Sequence, residues 1–240
     1  MKIDILKYKI NTTLPEYPFD KKLIINTINP HSYTVAKKDL LFKKALENSD
    51  FLLPDGIGIV LAAKVLKRKK IKKIAGADIH FHFIKIANSK ELKVMYFGSS
   101  ENTLNKINDK ISQEYPNICC EFISPPFKKV FSTSENTEMI EKINEFKPDI
   151  LFVGMTAPKQ EKWVYENQSK IDAKIICSIG AVFDFYAETF KRPNKIWIKL
   201  GLEWFIRLIK EPKRMFTRNF ISTPIFLKDL FIAKFLIFFK

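Results

Sequence analysis

The sequence predicts an α/β fold in which helices cover a mostly parallel sheet, followed by a helical appendage. Three observations lead to this prediction. Short apolar segments alternate with longer segments of helical periodicity through most of the chain. The apolar segments are hydrophobic on both faces, as the strands of a sheet buried on both sides are. The last part of the chain is basic, aromatic and helical in pattern rather than strand-like.

Six short apolar segments are the predicted strands. They cover residues 22–27, 50–53, 93–98, 118–123, 149–154 and 174–180. Three of these strands end in glycine, at Gly98, Gly154 and Gly180. Because ligands of open α/β sheets bind beyond the carboxyl ends of the strands, we expect the functional residues there.

Six segments with apolar residues at helical spacing are the predicted helices. They cover residues 33–47, 57–67, 78–88, 101–114, 135–146 and 159–169. The character of the chain changes near residue 194, so we expect a main domain over 1–194 and an appendage over 195–240. The appendage contains ten basic and three acidic residues, which leaves a net charge of +7, and ten aromatic residues.

The composition restricts the partners and the setting of the protein. The formal net charge of the 240-residue chain is +15, which suits nucleic acid, a phosphorylated substrate or an anionic membrane face. A general lysine excess of the proteome would explain part of this charge without any function. The three cysteines show neither a disulfide framework nor metal-ligand spacing, so we expect a reducing, cytosolic setting. We expect no signal peptide, and no window approaches the ~20 apolar residues that span a bilayer.

Several common nucleotide and catalytic motifs are absent. The sequence contains no G-x-G-x-x-G, no Walker loop, no D-x-D and no G-x-S-x-G. His31, His80 and His82 lack the cysteine cluster or H-E-x-x-H spacing of a metal site. We therefore expect no cofactor and no metal ion. The missing glycine fingerprint also argues against a nucleotide-dependent oxidoreductase.

The stretch LPDGIGIV (53–60) places a carboxylate in a tight corner between a strand and a helix. Asp55 is followed by two glycines, Gly56 and Gly58. One interpretation is a turn in which Asp55 caps the helix. The other is a site where a ligand approaches the backbone closely beside a carboxylate. The corner by itself leaves both interpretations open.

Polar residues follow other predicted strands as well. The first and last strands are followed by Thr27, Asn29 and Asp184. In GMTAPKQEKW (154–163), a helix start carries Lys159, Gln160 and Glu161. A lysine and the amides of a helix N-terminus would bind a diphosphate well. The alternative is an ordinary capped helix start in which Glu161 complements the helix dipole.

An ordered set of short pieces resembles the WecG/TagA/CpsF family of bacterial glycosyltransferases. The pieces are TINP (27–30), LPDGIGIV (53–60), IAGAD (74–78), YFG (96–98), FKPDILFVGMTAPKQEKW (146–163), IGAVFDF (179–185), KRPNKIW (191–197) and GLEWFIRLIKEPKRMFTR (201–218). They span roughly residues 20–220, nearly the whole chain. The resemblance implies a Rossmann-like α/β domain whose C-terminal helical appendage helps to complete the active site.

The resemblance also implies a function. Members are inverting, metal-independent enzymes that move a sugar, often of N-acetylmannosamine type, from UDP to a polyprenyl-diphosphate-linked sugar. The products enter cell-surface polysaccharides or teichoic acids. Glucosyl or glucuronosyl transfer in exopolysaccharide or capsule synthesis is the alternative within the family. A basic nucleic-acid-binding protein is the alternative from another class, and the acidic residues at the strand ends argue against it.

Roles for individual residues follow from the same resemblance. Asp55 is the general base that takes the proton of the acceptor hydroxyl, and Thr27 lies near the donor sugar with Asn29 beside it. In the absence of a metal, cations and helix ends stabilise the leaving UDP. The residues for this role are Lys159, Gln160, Arg192, Arg207, Arg214 and Arg218. The further substrate-binding residues are Gly56, Gly58, Lys73, Asp78, Gly98, Gly154, Glu161, Gly180 and Asp184.

Two positions depart from the family pattern. Lys73 stands where many members carry arginine, so a contact on the phosphate side would have a different shape. Arg218 is offset by about one residue from the common spacing.

The end of the chain, PIFLKDLFIAKFLIFFK (224–240), combines phenylalanine with lysine as an interfacial anchor does. Each basic residue near an anionic surface contributes ~1 kcal/mol to binding. We therefore expect a cytoplasmic protein bound peripherally to the inner face of the cell membrane. The alternative is a helix buried against the core or against a partner protomer in a homo-oligomer.

Overall fold

A computed structural model describes residues 1–189, Leu208 and residues 212–239. The strands are β1 (Lys2–Ile5), β2 (Tyr8–Asn11), β3 (Leu23–Ile28), β4 (Phe51–Pro54), β5 (Lys93–Gly98), β6 (Cys119–Ile123), β7 (Ile150–Gly154) and β8 (Ile175–Ser178). The last six form a single sheet in the order β4-β3-β8-β7-β5-β6, and all neighbours are parallel. The predicted α/β architecture is therefore confirmed, with all six strands close to their expected positions.

The N-terminal strands β1 and β2 form an antiparallel hairpin that the sequence analysis did not predict. Its turn consists of Leu6 and Lys7, both with positive φ (47° and 73°), where glycine or asparagine is the usual signal. In the sequence, these strands are marked only by Ile3, Ile5 and Ile10, which alternate with polar residues and are buried in the structure. Each strand is four residues long. So short a pattern is hard to recognise without a turn motif.

The helices are α1 (Pro30–Ala36), α2 (Leu40–Glu47), α3 (Ile57–Lys67), α4 (Gly76–Lys90), α5 (Glu101–Glu114), α6 (Thr133–Phe146), α7 (Lys159–Asn167), α8 (Val182–Tyr186), α9 (Pro212–Phe216) and α10 (Thr223–Phe238). A π-helical segment (Thr217–Ser222) connects α9 and α10. The bounds predicted for α3 and α5 are confirmed to the residue. The short helix α8 was not predicted.

The single helix predicted over 33–47 is wrong, because this stretch forms two helices. Asp39 has extended backbone geometry, and its side chain accepts a hydrogen bond from the Phe42 amide at 2.9 Å. This is an N-cap, so Asp39 starts the second helix, whereas the first ends at Ala36 with Lys37 as its C-cap. The first helix also starts earlier than expected, with Asn29 as its cap and Pro30 in its first turn.

Helices cover both faces of the parallel sheet. Tyr96 and Phe152 belong to the core on the side of α4, α5 and α8. Met95 and Leu151, their neighbours in the same strands, belong to the core on the side of α6 and α7. All four side chains are buried. Burial on both faces explains why these strands are apolar throughout instead of alternating.

The C-terminal helix α10 is part of a third core cluster with α1, α3 and the hairpin. Phe226 is fully buried, and its ring contacts the Tyr33 ring edge-on with centroids 5.4 Å apart. The Tyr33 hydroxyl donates to Asp229 Oδ2 at 2.9 Å, and Lys37 forms an ion pair with the same oxygen. One face of this helix is thus buried against the core, as one of the two interpretations expected.

Much of the remaining surface of α10 is exposed and apolar, and we call it the exposed face. It carries Leu227, Phe231, Ile232, Phe235, Leu236 and Ile237. Within the ranges that the structure describes, none of the helices has the length and apolar character needed to cross a membrane. The domain boundary expected near residue 194 lies outside the described residues.

Candidate active site

A cleft of about 1860 Å³ opens at the carboxyl edge of the sheet. Residues that follow each of the six parallel strands line it, together with the π-helical segment. A drug-sized ligand usually occupies a pocket of roughly 300–1,000 Å³. This cleft therefore has room for two substrates.

Most of the site residues expected from the sequence meet in this cleft. Those that line it are Thr27, Asn29, Asp55, Gly56, Gly58, Lys73, Gly154, Lys159, Gln160, Glu161, Gly180, Asp184 and Arg218. Gly98 and Asp78 are not among the lining residues. Arg192 and Arg207 lie outside the described residues, as does the side chain of Arg214, which belongs to α9.

Asn29 and Asp55 are brought together because β3 and β4 are parallel neighbours that end side by side. The Asp55 amide donates to the Ile28 carbonyl at 2.9 Å, which extends the ladder into the corner. Asn29 Oδ1 caps α1 by accepting from the amides of His31 and Ser32. Its Nδ2 therefore points away from the helix, and it donates to Asp55 Oδ2 at 3.4 Å. The cap of one helix thus orients the carboxylate that follows the neighbouring strand.

Asp55 does not cap α3. The N-cap of that helix is Gly56, with φ +88°, and no side chain caps it. A residue with a Cβ is strained at this φ, so glycine is required for the backbone itself. Gly56, and not Asp55, therefore occupies the N-cap position of α3. The carboxylate lines the cleft instead.

Several of the predicted glycines permit close contacts between protein groups. A Cβ on Gly58 would lie 2.4 Å from Pro30 Cγ, so Gly58 allows α3 to pack against α1. A Cβ on Gly154 would meet the Phe183 ring at 2.5 Å, and one on Gly98 would meet the Gly154 carbonyl oxygen at 2.5 Å. Packing of the sheet ends explains why these positions are glycine.

Asp78 and Asp184 make polar contacts near the cleft. The Asp78 carboxylate caps α4 by accepting from the Ala75 amide at 2.7 Å. Asp184 lines the cleft and accepts from the Ser99 hydroxyl at 3.4 Å. Asp78 therefore shapes the backbone at the cleft wall, whereas the Asp184 carboxylate is part of the wall.

Lys159 is held by the loop that follows β6. Its ammonium group donates to the Lys128 carbonyl and lies 3.7 Å from the centroid of the Phe131 ring. Burial lowers the pKa of Lys159 from its ordinary value. The same loop carries Phe127, which is fully exposed at the cleft, and it is tied to β5 by a hydrogen bond from Ser124 to the Ser99 carbonyl. The sequence analysis did not single out this loop, although its Pro-Pro-Phe-Lys-Lys composition marks it.

Gln160 and Glu161 form the buried floor of the cleft together with Ser178. Each of the three is at most 4% exposed. Gln160 Nε2 donates to Glu161 Oε1 at 2.9 Å. Burial raises the pKa of Glu161 to about 7. A buried acid is a poor match for an ordinary helix start, in which a solvated carboxylate complements the dipole.

The π-helical segment closes the cleft from the C-terminal side. Arg218 and Asn219 line the cleft, and the Ser222 hydroxyl is 2.9 Å from His31 Nδ1 on α1. The wider turn of a π-helix accommodates one extra residue, and such turns are common at functional sites. This agrees with the one-residue offset of Arg218 from the common family spacing. His31 and Asn219 are site residues that the sequence analysis did not select.

No group of three or more His, Cys, Asp or Glu side chains that could hold a metal ion occurs in the described part of the chain. His80 is buried and lies 2.6 Å from the Tyr96 hydroxyl through its Nε2. His82 Nε2 donates to the Pro15 carbonyl on a different side of α4, as the spacing of the two histidines on a helix predicts.

Comparison with known proteins decides the family. The profile described as "Glycosyl transferase WecG/TagA/CpsF family" matches residues 6–237. The chain belongs to this family. The match includes β2 and α10 up to residue 237, both of which lie beyond the region of resemblance read from the sequence. Membership makes the protein a glycosyltransferase, and the cleft at the carboxyl edge of its sheet is the candidate active site.

Relatives of this WecG/TagA/CpsF member carry a common name. The chain is 31% identical over 213 residues to the N-acetylglucosaminyldiphosphoundecaprenol N-acetyl-beta-D-mannosaminyltransferase of Bacillus subtilis (strain 168), which covers 88% of this chain and 80% of the relative. It is 27% identical over 205 residues to the protein of the same name from Bacillus spizizenii, and the aligned region covers 85% of this chain and 77% of the relative. The Staphylococcus aureus (strain MW2) protein of that name is 28% identical over 212 residues, which are 88% of this chain and 81% of the relative.

Proposed function

We propose that this protein transfers a hexose of the N-acetylmannosamine type from a UDP-sugar to a polyprenyl-diphosphate-linked sugar, with inversion and without a metal ion. The observation that carries the proposal is the Asp55 carboxylate, which lines a cleft large enough for two substrates and is oriented by Asn29. The names of the relatives support the choice of sugar and acceptor.

In the proposed reaction, Asp55 accepts the proton of the acceptor hydroxyl while the oxygen attacks C1 of the donor sugar. The bond between C1 and the diphosphate oxygen breaks, and UDP leaves with the electron pair. Attack from the face opposite UDP inverts the configuration at C1. Asn29 Nδ2 fixes one carboxylate oxygen. Thr27 also lines the cleft, on the strand that adjoins the one before Asp55, and we assign it to the donor sugar.

The charge that develops on UDP requires cations in place of a metal. Arg218 and Lys73 line the cleft from the C-terminal segment and from the loop before α4. Arginine offers bidentate contacts to phosphate, so we assign Arg218 to the diphosphate. Arg192, Arg207 and Arg214 are further candidates for the same charge.

A lipid-linked acceptor requires the enzyme to work at a membrane surface. The exposed apolar face of α10 and its lysines Lys228 and Lys234 have the composition of an interfacial anchor. We therefore propose peripheral binding to an anionic membrane face through α10. Self-association through the same face is the alternative.

The test is a transfer assay with the purified chain, UDP-N-acetylmannosamine and a synthetic polyprenyl-diphosphate N-acetylglucosamine. We expect a disaccharide product with inverted anomeric configuration, identified by mass spectrometry and NMR. UDP-glucose and UDP-glucuronic acid serve as competing donors. Product formed only from one of these would assign the glucosyl or glucuronosyl alternative, and no product from any donor would contradict the proposal.

A further inference from the structure

The floor of the cleft contains three buried polar atoms that have no hydrogen-bond partner. They are Gln160 Oε1, Glu161 Oε2 and Ser178 Oγ. All three residues line the cleft, and each side chain is more than nine-tenths buried. Leaving a buried polar atom unpaired costs about 1–3 kcal/mol. Three such atoms in residues that line one cleft indicate a surface that a bound ligand completes.

The hydrogen bond between Gln160 and Glu161 decides what this surface offers. Because Glu161 Oε1 accepts from Gln160 Nε2, the amide oxygen of Gln160 is the end that remains for a ligand. Gly180 lies beside this amide, since a Cβ there would be in ordinary contact with Gln160 Oε1 at 3.4 Å. When Glu161 is ionised, the floor thus presents the amide oxygen of Gln160 and the carboxylate oxygen of Glu161, both of which accept hydrogen bonds, whereas the neutral form of Glu161 also carries an O–H donor.

A floor of acceptors selects hydroxyl or amide N–H groups and disfavours phosphate. Among the described residues, Glu161 takes part in no ion pair, and Lys159 beside it is bound to the Lys128 carbonyl and the Phe131 ring. Within the described part of the chain, phosphate oxygens at the ionised floor would therefore face acceptor oxygens without a compensating cation. Sugar hydroxyls and an N-acetyl N–H group are the donors that the proposed substrates carry.

The floor lies next to the residues proposed to handle the transferred sugar. Cys177 pairs with Ile25 in the ladder between β8 and β3, so Ser178 is one residue further toward the edge. Thr27 is two residues beyond Ile25 on the adjoining strand. Ser178 of the floor and Thr27 are thus on adjacent strands at the same edge of the sheet.

We propose that Glu161 is a positioning residue that fixes the amide of Gln160, so that the Gln160 oxygen, with Glu161 Oε2 and Ser178, binds hydroxyl or N–H groups of the donor sugar and not the diphosphate. The inference rests on the proposed function and assigns the sugar side of the donor site. It predicts that the floor contributes to binding of a UDP-sugar but not to binding of UDP.

The experiment measures dissociation constants for UDP and for UDP-N-acetylmannosamine by calorimetry. The variants are Glu161→Gln, Gln160→Met and the double variant, with Glu166→Gln, an exposed acid on the same helix, as the matched control. We expect Glu161→Gln to weaken UDP-sugar binding about tenfold and UDP binding less than about twofold, as loss of one or two oriented hydrogen bonds implies.

The double variant tests whether Glu161 acts through Gln160. If it does, Glu161→Gln has little further effect on UDP-sugar binding once Gln160 is replaced, so the two effects are not additive. Additive effects, or equal weakening of UDP and UDP-sugar by Glu161→Gln, would overturn the inference. Unchanged UDP-sugar binding would also overturn it and would mean that the floor binds only water. If Gln160→Met does not fold, the UDP and UDP-sugar affinities of Glu161→Gln decide by themselves.

Failure of the inference is distinguishable from failure of the proposed function. Wild-type protein that binds neither UDP nor a UDP-sugar contradicts the proposed function. Wild-type protein that binds and transfers the sugar, but whose floor variants behave like the control, contradicts only the role of Glu161.

Discussion

The Asn29 side chain joins a helix cap to the proposed catalytic carboxylate. Its Oδ1 accepts from the first amides of α1, and its Nδ2 donates to Asp55 Oδ2 at 3.4 Å. Since both ends of the amide have assigned partners, the amide cannot flip without breaking the cap. The orientation of Asp55 is therefore coupled to the start of α1, which in turn packs against α10.

Replacement of Asp55 by asparagine tests the base. Asp55→Asn keeps the size of the side chain but cannot accept the proton, so we expect transfer to fall by ~10²–10⁴-fold while UDP affinity is retained. Steady-state rates and calorimetric UDP binding check this. Asp20→Asn, at an exposed position, is the control. Near-normal turnover of folded Asp55→Asn would remove Asp55 from the role.

Removal of metal ions tests how the leaving group is stabilised. The sequence contains no D-x-D motif, and we assign the diphosphate charge to Arg218 and other cations. We therefore expect transfer to continue in excess EDTA at a rate close to that of the untreated enzyme. An absolute requirement for Mg²⁺ or Mn²⁺, restored by adding the ion back, would contradict this assignment.

Phe226 and Phe231 distinguish the two faces of α10. Phe226 is fully buried against Tyr33, whereas Phe231 is 72% exposed. Because truncation of a buried phenylalanine costs about 3–5 kcal/mol, we expect Phe226→Ala to lower the free energy of unfolding by this amount. Phe231→Ala is the matched control and should change it by less than about 0.5 kcal/mol. Urea unfolding monitored by circular dichroism measures both, and equal effects would show that α10 is not docked as described.

The exposed face of α10 is expected to bind anionic membranes. The double variant Phe231→Ser, Phe235→Ser removes apolar area that an interface would bury, so co-sedimentation with phosphatidylglycerol-containing liposomes should decrease several-fold. Leu40→Ser, at an exposed apolar position on α2, is the control. If liposome binding is unchanged and the double variant instead converts an oligomer to a monomer in analytical ultracentrifugation, the face is a protomer interface.

Glu161 should make stability depend on pH. Burial raises its pKa from 4.5 to about 7, so folding favours the neutral form. The favourable contribution of neutral Glu161 to the free energy of unfolding is complete below about pH 4.5 and is lost as the pH rises to about 7. Because one pK unit corresponds to about 1.4 kcal/mol, Glu161→Gln, which cannot ionise, should be more stable than wild type by up to about 3 kcal/mol above pH 7. The two proteins should differ little at pH 4.5, and a difference independent of pH would contradict the assignment.

Most local structure could be predicted from the sequence because its causes are local. The six parallel strands are short apolar runs, and α5 starts at the residue after Ser100, whose side chain caps it. The cysteine and motif content also excluded a disulfide framework and the common nucleotide fingerprints. The break within 33–47 was missed because Asp39 acts as a cap only when its backbone is extended, which apolar periodicity does not reveal.

The sequence by itself determined the parallel α/β sheet, the carboxyl edge as the place of the site, and the family, through motifs that lie at the strand ends. Only the tertiary structure decided which side chains meet. Tyr33 and Asp229 are 196 residues apart and form a hydrogen bond. Ser178 is buried in the wall of the same cleft as Gln160 and Glu161, although it belongs to a different element. Such contacts depend on how strands and helices pack, and burial then decides whether a carboxylate is a solvated helix cap or a buried acid with a raised pKa. No local pattern of residues contains that information, because the same Lys-Gln-Glu helix start is compatible with either environment.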